Sequence, residues 1–142
     1  MPIKPENRVR YPENWPEISA AARDRAGNKC EQCGLKNGAQ VIRGGGKDLG
    51  TFMLYDGDGE VYDENDGRYL GLCKGSEYEV RRASVVVLTT AHLDHQPEHC
   101  EDDNLRVLCQ LHHLRYDAQH HAETARATRR SRKAIGDLFE AQ

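Results

Sequence analysis

The sequence predicts an α+β fold with an N-terminal helix, an inserted β-rich lobe and a long C-terminal helix. The clearest strand is the β-branched run 84–90, SVVVLTT, because such side chains pack well on a pleated sheet. The segment 112–134 contains several Ala and neither Gly nor Pro, which favours a helix. In 35–82, glycines and acidic residues are frequent instead, which indicates turns between short strands.

The chain is long enough for one domain with a modest core. It has 142 residues, of which 37% are hydrophobic and 30% charged, with one Trp and two Phe. So few large apolar side chains stabilise a fold weakly, and we expect a further source of stability. No apolar run approaches the ~20 residues of a membrane helix, and 1–17 contains no secretion signal. We therefore expect a single domain over 1–142, located in the cytoplasm and not in a membrane.

The N-terminal helix is predicted over 14–27. Asn14 and Glu17 have the spacing of a capping box, Pro16 suits the first turn, and Gly27 suits the helix end. A second short strand is predicted later in the chain, over 105–108, directly before the C-terminal helix.

The segment 35–82 is interpreted as an inserted β-rich lobe or a long loop. Its DGDG sequence at 56–59 lies between two short apolar runs and predicts a hairpin turn. The acids around this turn also suggest a calcium loop, but the sixth position of such a loop requires Gly and is Val61 here. An acidic turn is the better interpretation.

Two pairs of potential metal ligands share one spacing. Cys30 and Cys33 form a CxxC in the knuckle 28–34, and Cys109 and His112 repeat the same separation. Two such pairs, distant in sequence, are the usual way to build a closed tetrahedral zinc site. We therefore predict a structural Zn²⁺ bound by three thiolates and one imidazole, which contributes folding free energy that the small core lacks.

Three further side chains are not assigned to a site. Five cysteines in a chain expected to be cytoplasmic do not indicate disulfides. Cys73 and Cys100 have no partner at a ligand spacing, so we assign them no role. His99 lies in a polar stretch and is expected to be solvated.

Five of the seven histidines lie in one segment, HLDHQPEHCEDDNLRVLCQLHH, residues 92–113. This segment resembles the HNH endonuclease motif, which has a His after a first strand, an Asn introducing a second strand and a His opening a helix. The pattern of the family aligns without a gap and places these residues on His92, Asn104 and His113. The resemblance covers 28–33 and 85–117, less than half of the chain.

The resemblance implies both a fold and an activity. The implied fold is a small ββα-metal core over 84–117, and the implied activity is hydrolysis of DNA phosphodiester bonds by a single-metal mechanism. In such a mechanism His92 is the general base, Asn104 holds the loop and orients His92, and His113 binds the catalytic Mg²⁺ or Mn²⁺ ion. The structural Zn²⁺ is separate from that cation.

One position departs from the family pattern. Relatives usually carry an Asp or His ligand directly before the base, where this chain has Ala91, whose methyl group binds no metal. We expect His95 or Asp117 to replace the missing ligand, with Asp94 beside His95 as a further candidate. An alternative register makes Asp94 the ligand and His95 the base.

Charge is distributed unevenly along a chain whose net charge is −3. The C-terminal helix contains a run of bases without an acid, and helical spacing places four of them on one face. These are Arg126, Arg129, Arg130 and Lys133. Such a face is predicted to bind the DNA backbone with little sequence preference, and an ordinary solvated face is the alternative.

Three functions fit these patterns. The first is a metal-dependent HNH endonuclease. The second is a zinc-stabilised nucleic-acid-binding module without catalytic activity, for which Ala91 is the best argument. The third is a protein-interaction module that uses the lobe 35–82 as its contact surface.

Overall fold

A computed structural model describes residues 5–140, and the side chains of 5–136. The chain divides into two compact units, Met1–Gln110 and Leu111–Gln142. The helices are α1 (Pro5–Arg8), α2 (Trp15–Arg25) and α3 (Gln110–Glu140), and short 3-10 helices cover Gly46–Asp48, Gly75–Glu77 and Asp102–Asn104. The strands are β1 (Gln40–Gly44), β2 (Thr51–Leu54), β3 (Glu60–Asp63), β4 (Tyr69–Leu72), β5 (Val80–Val85), β6 (Leu88–His92) and β7 (Leu105–Cys109). The predicted α+β class is confirmed, whereas the single domain over 1–142 stays a prediction.

Helix α2 confirms the predicted N-terminal helix, but not its capping box. Asn14 occupies the N-cap position with φ −91° and ψ 22°, and its side chain makes no capping hydrogen bond, because an N-cap side chain reaches the first turn from extended backbone. At the other end, Gly27 has φ +70° and its N–H donates to the carbonyl of Asp24, while the N–H of Asn28 donates to that of Arg23. This pair of bonds is a Schellman motif, which explains why the helix ends before Gly27.

The lobe predicted over 35–82 is a five-stranded sheet with the strand order β4-β3-β2-β1-β5. All of its strand pairs are antiparallel. The turn predicted at 56–59 joins β2 to β3, and Gly59 there has φ +87°. A small core of Met53, Val61 and Tyr78 lies within the lobe.

The continuous strand predicted over 84–90 is wrong, since this run is divided between two sheets. Its first two residues end β5, and its last three begin β6. Between the two strands, the N–H of Val87 donates to the side chain of Gln110. At the first residue of β6, the N–H of Leu88 donates to the side chain of Asn37. Val86 still exchanges backbone hydrogen bonds with Ala39 and Gly38, and from Leu88 onward the chain pairs with β7 instead.

Strands β6 and β7 form a separate two-stranded antiparallel sheet. Their register pairs Leu88 with Cys109 at one end and His92 with Leu105 at the other. Helix α2 packs on this sheet, where the hydroxyls of Ser19 and Thr90 are buried and lie 2.9 Å apart. The sheet therefore fixes the positions of two predicted site residues, Cys109 at one end and His92 at the other.

Helix α3 follows β7 without a connecting loop and extends well beyond the predicted 112–134. It continues through Gly136, which lies two residues past the predicted end. Within residues 5–140, no helix is long and apolar enough to span a membrane.

An ion pair is buried in the lobe between Arg43 and Glu64. The guanidinium lies 3.0 Å from the carboxylate, and the two side chains are 3% and 10% exposed. Removing one member of a buried pair leaves the other charge without its counter-ion, which is strongly destabilising.

We predict that Arg43→Met lowers the free energy of unfolding by about 3 kcal/mol. The exposed pair of Arg25 and Asp102, 3.1 Å apart, offers a matched control, because Arg25→Met should cost less than about 1 kcal/mol. Urea unfolding of the three proteins at equal metal content measures both effects. Equal costs for the two substitutions would contradict the role given to the buried pair.

Candidate functional site

The knuckle 28–34 is attached to β7 by both backbone and side-chain bonds of Glu31. The N–H of Glu31 donates to the carbonyl of Val107 at 2.9 Å, and the N–H of Val107 donates to the Glu31 carboxylate at 2.6 Å. Within the knuckle the N–H of Gly34 donates to the carbonyl of Cys30, and Gly34 has φ +76°. This tight turn brings both knuckle thiols to the end of β7.

Four buried side chains converge at this point. Cys30, Cys33 and Cys109 are 2%, 5% and 0% exposed, and His112, in the first turn of α3, is 6% exposed. Their sulfur and nitrogen ligand atoms all lie within 4.8 Å of one another. The sequence prediction of a Cys₃His cluster is therefore confirmed as a possible metal site.

The geometry of the cluster fits a tetrahedral ion. The sulfurs of Cys33 and Cys109 are 3.9 Å apart, and two sulfurs bound to one zinc at about 2.3 Å are separated by about 3.8 Å in a tetrahedral site. Three thiols and one imidazole are a donor set typical of structural Zn²⁺. These four residues can thus hold a metal ion such as zinc.

Protonation of the thiols opposes metal binding. Contacts with the sulfurs of Cys109 and Cys30, together with burial, raise the pKa of Cys33 well above its usual value. A thiol must lose its proton to become a ligand. Binding of an ion therefore releases protons, and affinity falls as the pH is lowered.

His92 ends β6 in a largely buried, aromatic environment. Its ring stacks on Trp15 with centroids 4.7 Å apart and an interplanar angle of 28°, and Tyr11 meets its edge at 5.7 Å. Only 8% of His92 is exposed. Burial lowers its pKa, an effect that the nearby Asp94 and Glu98 carboxylates oppose. The imidazole is therefore held in its neutral form near neutral pH, as a proton acceptor must be.

The loop between β6 and β7 is held by Asn104. Its side-chain oxygen accepts from the N–H of Asp94 at 3.2 Å, and its amide nitrogen donates to the Asp94 carboxylate and to the carbonyl of His99. These bonds connect the end of the loop to residues 94 and 99 within it. Within the described residues, Asn104 makes no hydrogen bond to the ring of His92, so any effect on that ring acts through the loop backbone.

Asp94 and His99 form a close pair at the surface of the same loop. Nδ1 of His99 is 2.5 Å from the Asp94 carboxylate, and this bond raises the pKa of His99. The same bond lowers the pKa of Asp94 well below its usual range. Since Asp94 also accepts from Gln96 and Asn104, its carboxylate is already committed within the loop. His99 is exposed, as expected, but it has this unanticipated partner.

The remaining candidate ligands of the catalytic cation lie in two segments, the loop after β6 and the helix α3. Ala91 is buried, and His95 has φ +58°, a left-handed backbone that favours Gly. In α3, Nε2 of His113 is 3.5 Å from the carboxylate of Asp117. His113 and Asp117 are therefore neighbours, as their spacing predicts.

The four bases predicted to bind DNA are all exposed on α3. They are Arg126, Arg129, Arg130 and Lys133. The intervening Arg132 is equally exposed, but helical spacing places it on another face.

Sequence patterns did not identify the residues that surround His92. Tyr11 and Trp15 come from the N-terminal segment, where Arg10 also binds Glu98 at 2.6 Å. Cys100, which we assigned no role, lies 3.5 Å from Nε2 of His92. Contacts that form only in the tertiary fold leave no periodic signal in a sequence. The one available signal was Trp15, a large apolar side chain at an otherwise polar helix start.

Comparison with protein-family models, with curated proteins and with solved structures found no match.

We predict that the protein purified from zinc-supplemented cells contains about one Zn²⁺ per chain. Cys33→Ser should lose most of this metal and lower the melting temperature, because three ligands bind the ion less tightly than four. Lowering the pH should release the metal from the wild-type protein. Elemental analysis and thermal unfolding measure these effects.

Cys73→Ser is the matched control for this substitution. Its thiol is half-buried and donates to the carbonyl of Lys74, outside the cluster. Equal metal content in the Cys33 and Cys73 variants would show that the cluster is not the binding site.

Proposed function

We propose that the protein is a metal-dependent DNA endonuclease of the HNH type. The observation that carries this proposal is the order strand, loop, strand, helix formed by β6, β7 and α3. Within it, His92 is the last residue of β6, Asn104 directly precedes β7, and His113 is in the first turn of α3. These are the positions that the resemblance assigns to the base, the loop-holding Asn and the cation ligand.

The environment of His92 supports its role as general base. Phosphodiester hydrolysis needs a group that removes a proton from water near neutral pH. Burial against Trp15 keeps the imidazole neutral and fixes the plane of its ring. A neutral, oriented imidazole is able to take that proton.

His113 and Asp117 are the best candidates for binding the catalytic cation. When bound, Mg²⁺ or Mn²⁺ supplies charge compensation at the phosphate and at the departing oxygen. The His113 nitrogen and the Asp117 carboxylate are neighbours on one turn of helix, whereas Asp94 accepts three hydrogen bonds within its own loop. We therefore favour Asp117 over Asp94 as the replacement for the ligand missing at Ala91. His95 remains a second candidate.

The exposed basic face of α3 supports DNA as the substrate. The segment 126–133, which contains the four bases of this face, has no acidic residue. Cations on one helix face bind phosphates through charge and release counterions from DNA. Such contacts orient a nucleic acid without reading its sequence.

A nucleic-acid-binding module without catalytic activity is the second candidate. Ala91 favours it, because the position usually occupied by a ligand is an alanine here. The low exposure of His92 favours it as well, since a general base must reach water.

Cleavage of supercoiled plasmid distinguishes these two functions. We predict nicking or linearisation with Mg²⁺ or Mn²⁺ and none with EDTA. His92→Ala should lower the rate by about 10²- to 10⁴-fold, the usual contribution of a general base. His121→Ala removes an exposed histidine of α3 and is the matched control. A gel shift without cleavage in all proteins would support the binding module instead.

The dependence of DNA affinity on salt tests the basic face. Removing one cation that neutralises a phosphate should reduce the slope of log affinity against log salt by about 0.9. We therefore predict a shallower slope for Arg130→Gln and a much shallower one when all four bases of the face are replaced by Gln. Arg132→Gln, on another face, should leave the slope unchanged. Equal slopes for the two single variants would assign the face to ordinary solvent exposure.

A further inference from the structure

Cys100 lies beside the imidazole of His92, in the loop between β6 and β7. Its sulfur is 3.5 Å from Nε2 of His92 and 3.3 Å from the carbonyl oxygen of Pro97. The thiol is half-buried, and burial raises its pKa. It is therefore a neutral S–H group placed between two possible hydrogen-bond partners.

The single proton of the thiol determines the direction of both bonds. A carbonyl oxygen only accepts hydrogen bonds, so the contact between Cys100 and Pro97 uses the S–H proton. The sulfur is then an acceptor towards His92, and Nε2 must be the donor. Because a neutral imidazole carries one N–H, Nδ1 of His92 has the free lone pair.

Trp15 limits the ring of His92 to two orientations. Stacking on the indole fixes the plane of the His92 ring, and within that plane the ring has two orientations related by a flip about the Cβ–Cγ bond. The observed orientation places Nε2 at the sulfur, whereas the flipped one would place Cε1 there and break the hydrogen bond. Within the described residues Nδ1 makes no hydrogen bond, so its lone pair is not used by another protein group.

We propose that Cys100 is a positioning residue that holds His92 as its Nε2–H tautomer, so that Nδ1 accepts the proton of the attacking water. This inference rests on the proposed function, in which His92 is the general base. The water proton passes to Nδ1, and the electron pair of that O–H bond remains on the oxygen, which bonds to phosphorus. The bond to the 3′ oxygen breaks, and that oxygen leaves with its electron pair and takes a proton from solvent.

The tautomer can be measured directly in the protein without DNA. Nitrogen-15 NMR of the histidine side chains at slightly alkaline pH distinguishes a protonated from an unprotonated ring nitrogen, and comparison with His92→Gln assigns the His92 signals. We expect a protonated Nε2 and an unprotonated Nδ1 in the wild type. Cys100→Ser, whose hydroxyl donates and accepts in the same way, should keep this tautomer, and Cys100→Ala should give a mixture. A wild-type His92 protonated on Nδ1 would overturn the inference even if a variant fails to fold.

Plasmid cleavage gives the functional readout. At saturating DNA, Cys100→Ala should lower the rate about 10-fold, a part of the contribution of the base, with little change in DNA affinity. Cys100→Ser should restore most of the rate. Cys73→Ala is the matched control, because the Cys73 thiol is hydrogen-bonded to a backbone carbonyl but, within the described residues, does not contact an imidazole. Wild-type tautomer and rate in Cys100→Ala would contradict the role of the thiol.

The two readouts separate the inference from the proposed function. The expected tautomer in a protein that never cleaves DNA would support the role of Cys100 in orienting the ring and overturn the nuclease proposal. Cleavage that depends on His92, by a protein with Nδ1 protonated, would support the nuclease and overturn the inference.

Discussion

Three buried thiols and one imidazole meet where the knuckle, the end of β7 and the first turn of α3 come together. An isolated two-stranded sheet is marginally stable in water, and β6 and β7 form such a sheet. Helix α2 covers part of it, but the fully buried residues of this helix are the small Ser19 and Ala22. An ion shared by Cys30, Cys33, Cys109 and His112 would connect segments that are far apart in sequence at the cost of ordering few residues. Metal binding would then contribute directly to the free energy of folding.

The same ladder that ends at the thiol cluster positions His92. Cys109 pairs with Leu88, and His92 pairs with Leu105 four residues away along the sheet. If either strand slipped by one residue, its own side chains would turn to the opposite face, so the register keeps Cys109 and His92 in their relative positions. The attachment of Glu31 to Val107 resists such a slip, because it fixes the knuckle to β7 by two hydrogen bonds. The proposed chemistry at His92 thus depends on the metal cluster at the far end of the sheet.

Local patterns predicted the features that depend on local geometry. The Cys and His spacings place each ligand pair on one turn, Gly27 ends a helix because it adopts a positive φ, and the DGDG sequence forms the expected hairpin turn. The prediction of one strand over 84–90 was wrong because its two halves pair with different strands, β1 and β7, and local sequence does not show which strand each half will meet. The environment of His92 was missed for a related reason: Trp15 and Cys100 reach it only through the tertiary fold, and nothing in their immediate sequence indicates that contact.

X-ray absorption at the zinc edge tests the ion cluster most directly, since it measures the ligands and their distances without depending on activity. For the purified wild-type protein we predict three sulfur ligands at about 2.3 Å and one nitrogen ligand at about 2.0 Å. Loss of one sulfur from this shell in a variant of Cys30, Cys33 or Cys109 would identify the cluster as the site. A shell of oxygen and nitrogen atoms, or no tightly bound metal at all, would contradict the role of the cluster in holding this fold together.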